Sequence, residues 1–183
     1  MTTVVGFKTA DAVYLGADKR ITNGGEIVEA SFSKVFRRID LDMAFGVAGS
    51  IRVINVLKYG PLDFSRSDED EETIFNFTLS LQELLDDLSL LSVDEGVSSL
   101  EIGHIAIVYK NEMYSLDHMF SVIRYNSKFF SIGSGSSYAM GALTTLENRK
   151  MKPEKMVKDA LLVASRWDIQ TDNAVEILRL EKE

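Results

Sequence analysis

The residues best suited to chemistry stand at the start of the chain, Met1-Thr2-Thr3-Val4-Val5-Gly6. Removal of Met1 would leave a threonine at the amino terminus of a strand. A terminal threonine holds nucleophile and base in one residue: its hydroxyl attacks a carbonyl while its own α-amine takes the proton. An α-amine titrates at about 7.7–8.0 in water, so a small downward push leaves it basic near neutrality. Thr2 is the candidate nucleophile. Three further features within the first fifty residues suit it: Asp18 after the apolar run Leu15-Gly16-Ala17, Lys34 opening Lys34-Val35-Phe36, and Ala48-Gly49-Ser50 at a strand-to-helix turn. Adjacent antiparallel hairpins would bring Thr2, Asp18 and Lys34 to one end of a sheet. A lysine ammonium there lowers the pKa of both the threonine hydroxyl and its amine. Asp18 would keep that lysine charged and oriented, and the Gly49 N–H would stabilise the oxyanion of a tetrahedral intermediate.

The elements that must position these groups are read from periodicity and turn residues. Strands are expected over Thr3–Lys8, Ala12–Ala17, Lys34–Ile39 and Met43–Val47, with turns at Ala10-Asp11, Asn23-Gly24-Gly25 and 40–42. Ile51–Lys58 reads as a short helix stopped by Gly60-Pro61. Apolar residues at 74, 77, 81, 84, 85, 88 and 91 recur at spacings of three and four, which marks a long amphipathic helix with its apolar stripe in the core. The acidic run 68–72 before it complements the helix dipole. Strands resume at Ile102–Tyr109, Glu112–Leu116 and Lys128–Ile132. Gly133-Ser134-Gly135-Ser136 opens a helix to about Glu147. Pro153 starts another that buries Met156, Ala160, Val163, Ala164 and Trp167. A last strand covers Ala174–Leu180. The order is segregated rather than alternating βαβ, so one α+β domain over 1–183 is expected, with two antiparallel sheets and helices outside.

Composition narrows the classes of function. The 183 residues carry a net charge of −8 and no cysteine. The absence of cysteine removes disulfides, thiolate zinc sites and a cysteine nucleophile. An acidic chain is a poor partner for nucleic acid, whose phosphates require a basic surface. No apolar run approaches the roughly 18 residues of a membrane span, and no signal peptide opens the chain, so a cytoplasmic location is expected. The Gly133–Ser136 loop lacks the Gly-Lys-Ser/Thr of a phosphate-binding loop. His104 and His118 have no partner at metal-ligand spacing, which argues against a metal site or a serine–histidine triad.

Five short motifs in order resemble the proteasome β-subunit family of N-terminal-threonine peptidases, and in length and ends its bacterial HslV type. They are Thr2-Thr3-x-Val5-Gly6; Asp18-x-Arg20-x-Thr22; Lys34 with Gly46-x-Ala48-Gly49; Ile132-Gly133-Ser134-Gly135-Ser136-x-Tyr138-Ala139; and Arg166-x-Asp168-x-x-Thr171. The resemblance implies the four-layer αββα sandwich of N-terminal-nucleophile (Ntn) hydrolases. It implies Thr2 as nucleophile, Asp18 and Lys34 as the charge pair beneath it, and Gly49 as the oxyanion amide. Ser134, Asp168 and Thr171 would support the Thr2 amine. Arg20 and Thr22 would bind substrate backbone as an added strand, and Ile21, Phe32, Val47 and Ile51 would line the pocket for the residue before the cleaved bond. All four are apolar, so an apolar side chain is expected there. The resemblance also implies stacked hexameric or heptameric rings of identical or related subunits, an ATP-dependent unfoldase, unfolded polypeptide substrates, and no metal or organic cofactor. Two rivals share the fold: an inactive ring subunit that keeps Met1, and a small-molecule amidohydrolase. The chain departs from the family's Ala-Gly-x-x-Ala-Asp, having Ser50-Ile51-Arg52-Val53 after its Ala-Gly.

Overall fold

In the computed structural model, which describes residues 2–23, 25–28, 31–94, 97–100 and 103–182, the chain opens on an antiparallel hairpin. β1 (Thr3–Lys8) and β2 (Ala12–Asp18) pair from Val4↔Ala17 to Lys8↔Val13. The Thr9 hydroxyl donates to the Ala12 carbonyl and accepts from the Ala12 amide, closing the turn. Both strands are apolar on both faces because both faces are covered. Val4 packs between the sheets, whereas Val5 meets helices on the other side. That alternation is the two-residue period of a strand.

Two sheets make the two central layers. The first has the order β12-β1-β2-β13, where β12 is Phe129–Gly133 and β13 is Val175–Glu181. The second has the order β11-β10-β9-β6-β5. Its strands are β5 (Val35–Arg38), β6 (Met43–Ala48), β9 (His104–Tyr109), β10 (Glu112–Leu116) and β11 (Val122–Arg124). Small residues, Ala17, Ala44 and Ala106, with Leu15 and Phe130, fill the space between the sheets. Two short hairpins stand apart: β3 (Ile21–Asn23) with β4 (Glu26–Val28), and β7 (Leu91–Asp94) with β8 (Val97–Leu100).

Helices form the outer layers. α1 (Ile51–Tyr59) begins where the Ser50 hydroxyl accepts from the Arg52 amide, a cap worth about 1 kcal/mol, and ends at Gly60 before Pro61. With α2 (Asp70–Asp87) it covers the second sheet, where Phe45, Ile107, Ile74 and Phe77 share one core. α3 (Ser136–Leu146) and α4 (Pro153–Trp167) cover the first sheet through Ala139, Leu143, Val157 and Leu161. Each large apolar side chain buried this way contributes roughly 1.5–3 kcal/mol. The layer order is helices, sheet, sheet, helices, the αββα sandwich expected.

Several expectations need correction. The acidic residues Asp70, Glu71 and Glu72 form the first turn of α2, against its dipole as expected, but the far end of the helix differs. The helix stops at Asp87, and Leu91 opens β7. Leu88, expected in the core, is 44% exposed. On α4 the buried stripe is Met156, Val157, Ala160, Leu161 and Ala164. Val163 lies on its flank and Trp167 on the last helical residue, 69% exposed, so neither is core. Both border a groove of about 700 Å³ between α3 and α4. The Asn23–Gly25 turn is the tip of the β3–β4 hairpin, whose three-residue strands are too short for period-two alternation to register, and Gly24 itself lies outside the described residues. The strand expected from Lys34 to Ile39 is shorter at both ends, and Ile39 is exposed in the following turn. Ile102, expected to start a strand, lies outside the described residues.

One glycine positions the start of β1. Gly133, paired with Thr3, has φ of +95°. A Cβ on it would lie 1.9 Å from the Thr2 carbonyl oxygen, a backbone atom that cannot swing away. Gly133→Ala is therefore expected to destabilise the fold by about 2 kcal/mol or more, read as a lowered midpoint in urea. A midpoint within error of the wild type would show that the Thr2–Gly133 approach is slack.

Candidate active site

Strand register brings the predicted residues together. Thr2 precedes β1 and Asp18 ends β2, its neighbour, so both stand at one end of the first sheet. Lys34 precedes β5 and reaches in from the second sheet. Its ammonium donates to the Thr2 hydroxyl at 2.6 Å and to the Asp18 carboxylate at 3.1 Å. Thr2 is 3% exposed, Lys34 4% and Asp18 0%. This is a buried ion pair, which persists only if its remaining polar atoms are satisfied. They are. Asp18 also accepts the backbone N–H groups of Thr3 at 2.9 Å, Arg20 at 2.9 Å and Asp172 at 3.3 Å. Four donors match the roughly four lone-pair sites of a carboxylate.

Burial pushes the Lys34 pKa down, and the charge and hydrogen bond of Asp18 push back without restoring it. The ammonium is therefore a stronger hydrogen-bond donor and gives up its proton more readily than a surface lysine, while Asp18 still favours its charged form. The backbone N–H of Lys34 is held by the Glu176 carboxylate at 2.6 Å, so β13 also fixes where the lysine starts.

A second hydrogen-bonded group flanks Thr2. Asp168 caps the end of α4, and its carboxylate accepts from the Ser134 hydroxyl at 2.5 Å and the Thr171 hydroxyl at 2.6 Å. The Thr171 oxygen lies 2.6 Å from the Thr3 hydroxyl. Since Thr171 gives its one proton to Asp168, Thr3 must be the donor in that contact. The Ser134 amide donates to the Thr2 carbonyl at 3.0 Å, tying this group to the Thr2 backbone. Burial raises the Asp168 pKa, but the Ser134 and Thr171 hydroxyls and the Gln170 amide outweigh it, so the carboxyl sits below its usual range.

Gly49 occupies the turn between β6 and the Ser50 cap of α1. The preceding Ala48 would meet a Cβ on Gly133 at 3.0 Å, the same position that crowds the Thr2 carbonyl. The turn therefore lies beside Thr2. The expected pocket residues divide. Ile51 is 39% exposed at the head of α1, Thr22 is exposed, and Phe32 is half-buried. Ile21 is 7% exposed and Val47 1%, and Val47 belongs to the core under the helices. The Arg20 side chain turns into the protein, donating to the Ile169 carbonyl at 2.5 Å and pairing with Asp172 at 3.4 Å. It clamps the loop that carries Asp168 and Thr171.

Sequence reasoning missed Thr3, Asp172 and Glu176 as participants. Asp172 acts through its backbone, which no residue type could announce. Thr3 was visible only as a polar residue in an apolar strand.

The comparisons with known proteins agree with this geometry. The family model described as "Proteasome subunit" matches residues 1–60, the span holding Thr2, Asp18, Lys34 and Gly49. The ATP-dependent protease subunit HslV of Amoebophilus asiaticus is 28% identical over 182 residues, covering 98% of this chain and 96% of the relative. Proteasome subunit beta 1 of Pyrobaculum arsenaticum is 26% identical, covering all of this chain and 91% of the relative. Among solved structures, Thiobacillus denitrificans BPH in complex with epoxomicin superposes with a TM-score of 0.82 at 21% identity, covering 99% of each chain. Eukaryotic HslV from Trypanosoma brucei gives 0.69 at 22% identity, covering 98% of this chain and 99% of that one. Sequence and fold together support the proteasome β-subunit and HslV family.

The Asp168 shift has a consequence for acid stability. A carboxyl whose folded pKa lies below its unfolded value stabilises the fold fully above the unfolded pKa and loses that contribution as pH falls through the folded one. Asp168→Asn should therefore unfold at lower temperature than wild type near pH 6. The gap should narrow below about pH 4, where the unfolded carboxyl is itself protonated. Thermal unfolding of the two proteins across this range checks it, and a pH-independent gap would remove the charge from the argument.

Proposed function

We propose that this chain is a threonine-type endopeptidase subunit with Thr2 as N-terminal nucleophile. The observation that carries the reading is the 2.6 Å hydrogen bond from the buried Lys34 ammonium to the Thr2 hydroxyl, with Asp18 behind it. Once Met1 is removed, the free Thr2 amine takes the hydroxyl proton, directly or through water, as Oγ1 attacks a peptide carbonyl. Lys34 stabilises the developing alkoxide, and the Gly49 N–H stabilises the oxyanion. The tetrahedral intermediate collapses to an ester on Thr2, and the leaving amine departs with the proton. Water, activated by the same amine, then hydrolyses the ester and restores the hydroxyl. Ser134, Asp168 and Thr171 hold that end of β1 in place.

The substrate on this reading is an unfolded polypeptide, laid along the β2–β3 segment as an added strand, where main-chain hydrogen bonds give affinity and pockets give selectivity. The subunits assemble into stacked hexameric or heptameric rings fed by an ATP-dependent unfoldase. Support for assembly comes from apolar side chains left in solvent on the outer helices, Phe75, Leu79, Tyr138 and Trp167 among them. The names of the relatives support an ATPase partner. Among the described residues no helix is long and apolar enough to cross a membrane, which is compatible with a cytoplasmic site of action.

The test combines intact-mass measurement with hydrolysis of a fluorogenic peptide. Material lacking the mass of one methionine should be active, and Thr2→Ala should abolish turnover. Lys34→Ala should lower kcat by at least about 100-fold, the scale of losing one preorganised charge-stabilising donor. Undiminished turnover in Thr2→Ala would reject the assignment. Retention of Met1 with no activity would favour the inactive ring subunit instead.

A further inference from the structure

Lys34 is central to the site, yet no strand holds it in place. It stands just before β5, whose ladder begins at Val35↔Gly46. Its backbone groups therefore need partners of their own. The Lys34 carbonyl accepts the Val47 amide at 3.0 Å. The peptide unit on the other side, Ser33–Lys34, is held by two side chains from distant parts of the chain. Its N–H donates to the Glu176 carboxylate of β13 at 2.6 Å. Its C=O accepts from the Lys58 ammonium of α1, also at 2.6 Å.

The two contacts act together. In a trans peptide the N–H and C=O point in opposite directions, and no peptide bond among the described residues is cis. Each peptide unit is a dipole of about 3.5 D. Here its positive end faces a carboxylate and its negative end an ammonium, so one orientation of the plane is favoured from both sides. A rotated plane would turn the carbonyl toward Glu176 and the N–H toward Lys58, against both charges. Hydrogen bonds to ionised groups are roughly twice as strong as neutral ones. Lys58 is itself seated by the segment it holds, 4.4 Å from the Phe32 ring centre and 4.9 Å from that of Phe36. With both peptide units flanking the Lys34 Cα fixed, its side chain leaves in one direction and ends on Thr2 and Asp18.

We infer that Glu176 and Lys58 are positioning residues: they clamp the Ser33–Lys34 peptide unit between opposite charges and so aim the Lys34 ammonium at the Thr2 hydroxyl. The effect on turnover rests on the threonine-peptidase reading, whereas the clamp rests on the contacts of Lys34 alone. Glu176 also acts by its charge. The charged groups facing Lys34 are Asp18 from β2, Glu176 from β13 and Asp172 from the loop before it, with Lys58 across the Ser33 carbonyl. Burial pushes the Lys34 pKa down, and these three carboxylates push it back toward the charged form.

The experiment combines peptide hydrolysis with crystal structures of the assembled protein and its variants. Glu176→Leu removes the acceptor and Lys58→Met the donor. Each should lower kcat about tenfold or more, the scale of a hydrogen bond to a charged group, with KM nearly unchanged. Lys58→Arg, which can donate to the same carbonyl and stack on the same rings, should recover most of that loss. Glu176→Gln still accepts from the Lys34 amide but carries no charge. It should lose less kcat than Glu176→Leu, and the alkaline limb of its kcat/KM profile should move to lower pH, because Lys34 then gives up its proton sooner. In the structures of Glu176→Leu and Lys58→Met the Lys34 ammonium should have left the Thr2 hydroxyl. An ammonium still within about 3.2 Å of that hydroxyl in either variant overturns the proposal, as does an unmoved alkaline limb in Glu176→Gln. The two sides of the clamp are tested separately, so loss of folding in one variant leaves the other to decide. A wild type that hydrolyses nothing rejects the peptidase reading alone, and the Lys34–Thr2 distance then decides the clamp.

Discussion

One buried carboxylate organises this molecule. Asp18 is completely removed from solvent and accepts from four groups: the Arg20 amide two residues on, and Thr3, Lys34 and Asp172 from three other stretches of chain. An ionised carboxylate without partners in such a place would cost several kcal/mol, so the fold is obliged to bring those three stretches to it. One is the first strand of the opening hairpin, one the edge of the second sheet, and one the loop before the last strand. This end of the sandwich is therefore defined by satisfying a charge. The environment of Thr2 follows from it, because the lysine that answers Asp18 is the lysine that touches Thr2.

The same arrangement explains why the two sheets meet through small side chains. Ala17, Ala44 and Ala106 let the layers approach closely enough for a lysine rooted in the second sheet to reach an aspartate at the end of the first. The outer interfaces carry the bulk of the large aromatic and aliphatic residues instead. Stability comes mainly from the outer layers, and chemistry from the thin inner one. Arg20 and Asp168 extend this logic, since one clamps the 168–172 loop and the other collects the hydroxyls that line it.

Much of this was legible in the sequence, for physical reasons. β1, β10 and α1 are long or regular enough for their period to identify them, and Thr2, Asp18 and Lys34 are residue types with few reasons to end apolar runs. What escaped has reasons too. The stripe on α4 was placed too far round because Val163 and Trp167 share its spacing, yet they face a groove rather than the sheet. The β3–β4 hairpin is too short and too exposed for alternation to show. Asp172 contributes an amide, which every residue but proline has.

The pairing of β2 with β13 joins one of the earliest strands to the last one, about 160 residues along. Contacts of such sequence separation form late, because the closure entropy of the intervening chain must be met first. Until β13 docks, neither the Asp172 amide nor the Glu176 carboxylate is in place, so the charge of Asp18 and the backbone of Lys34 gain their last partners only with that late pairing.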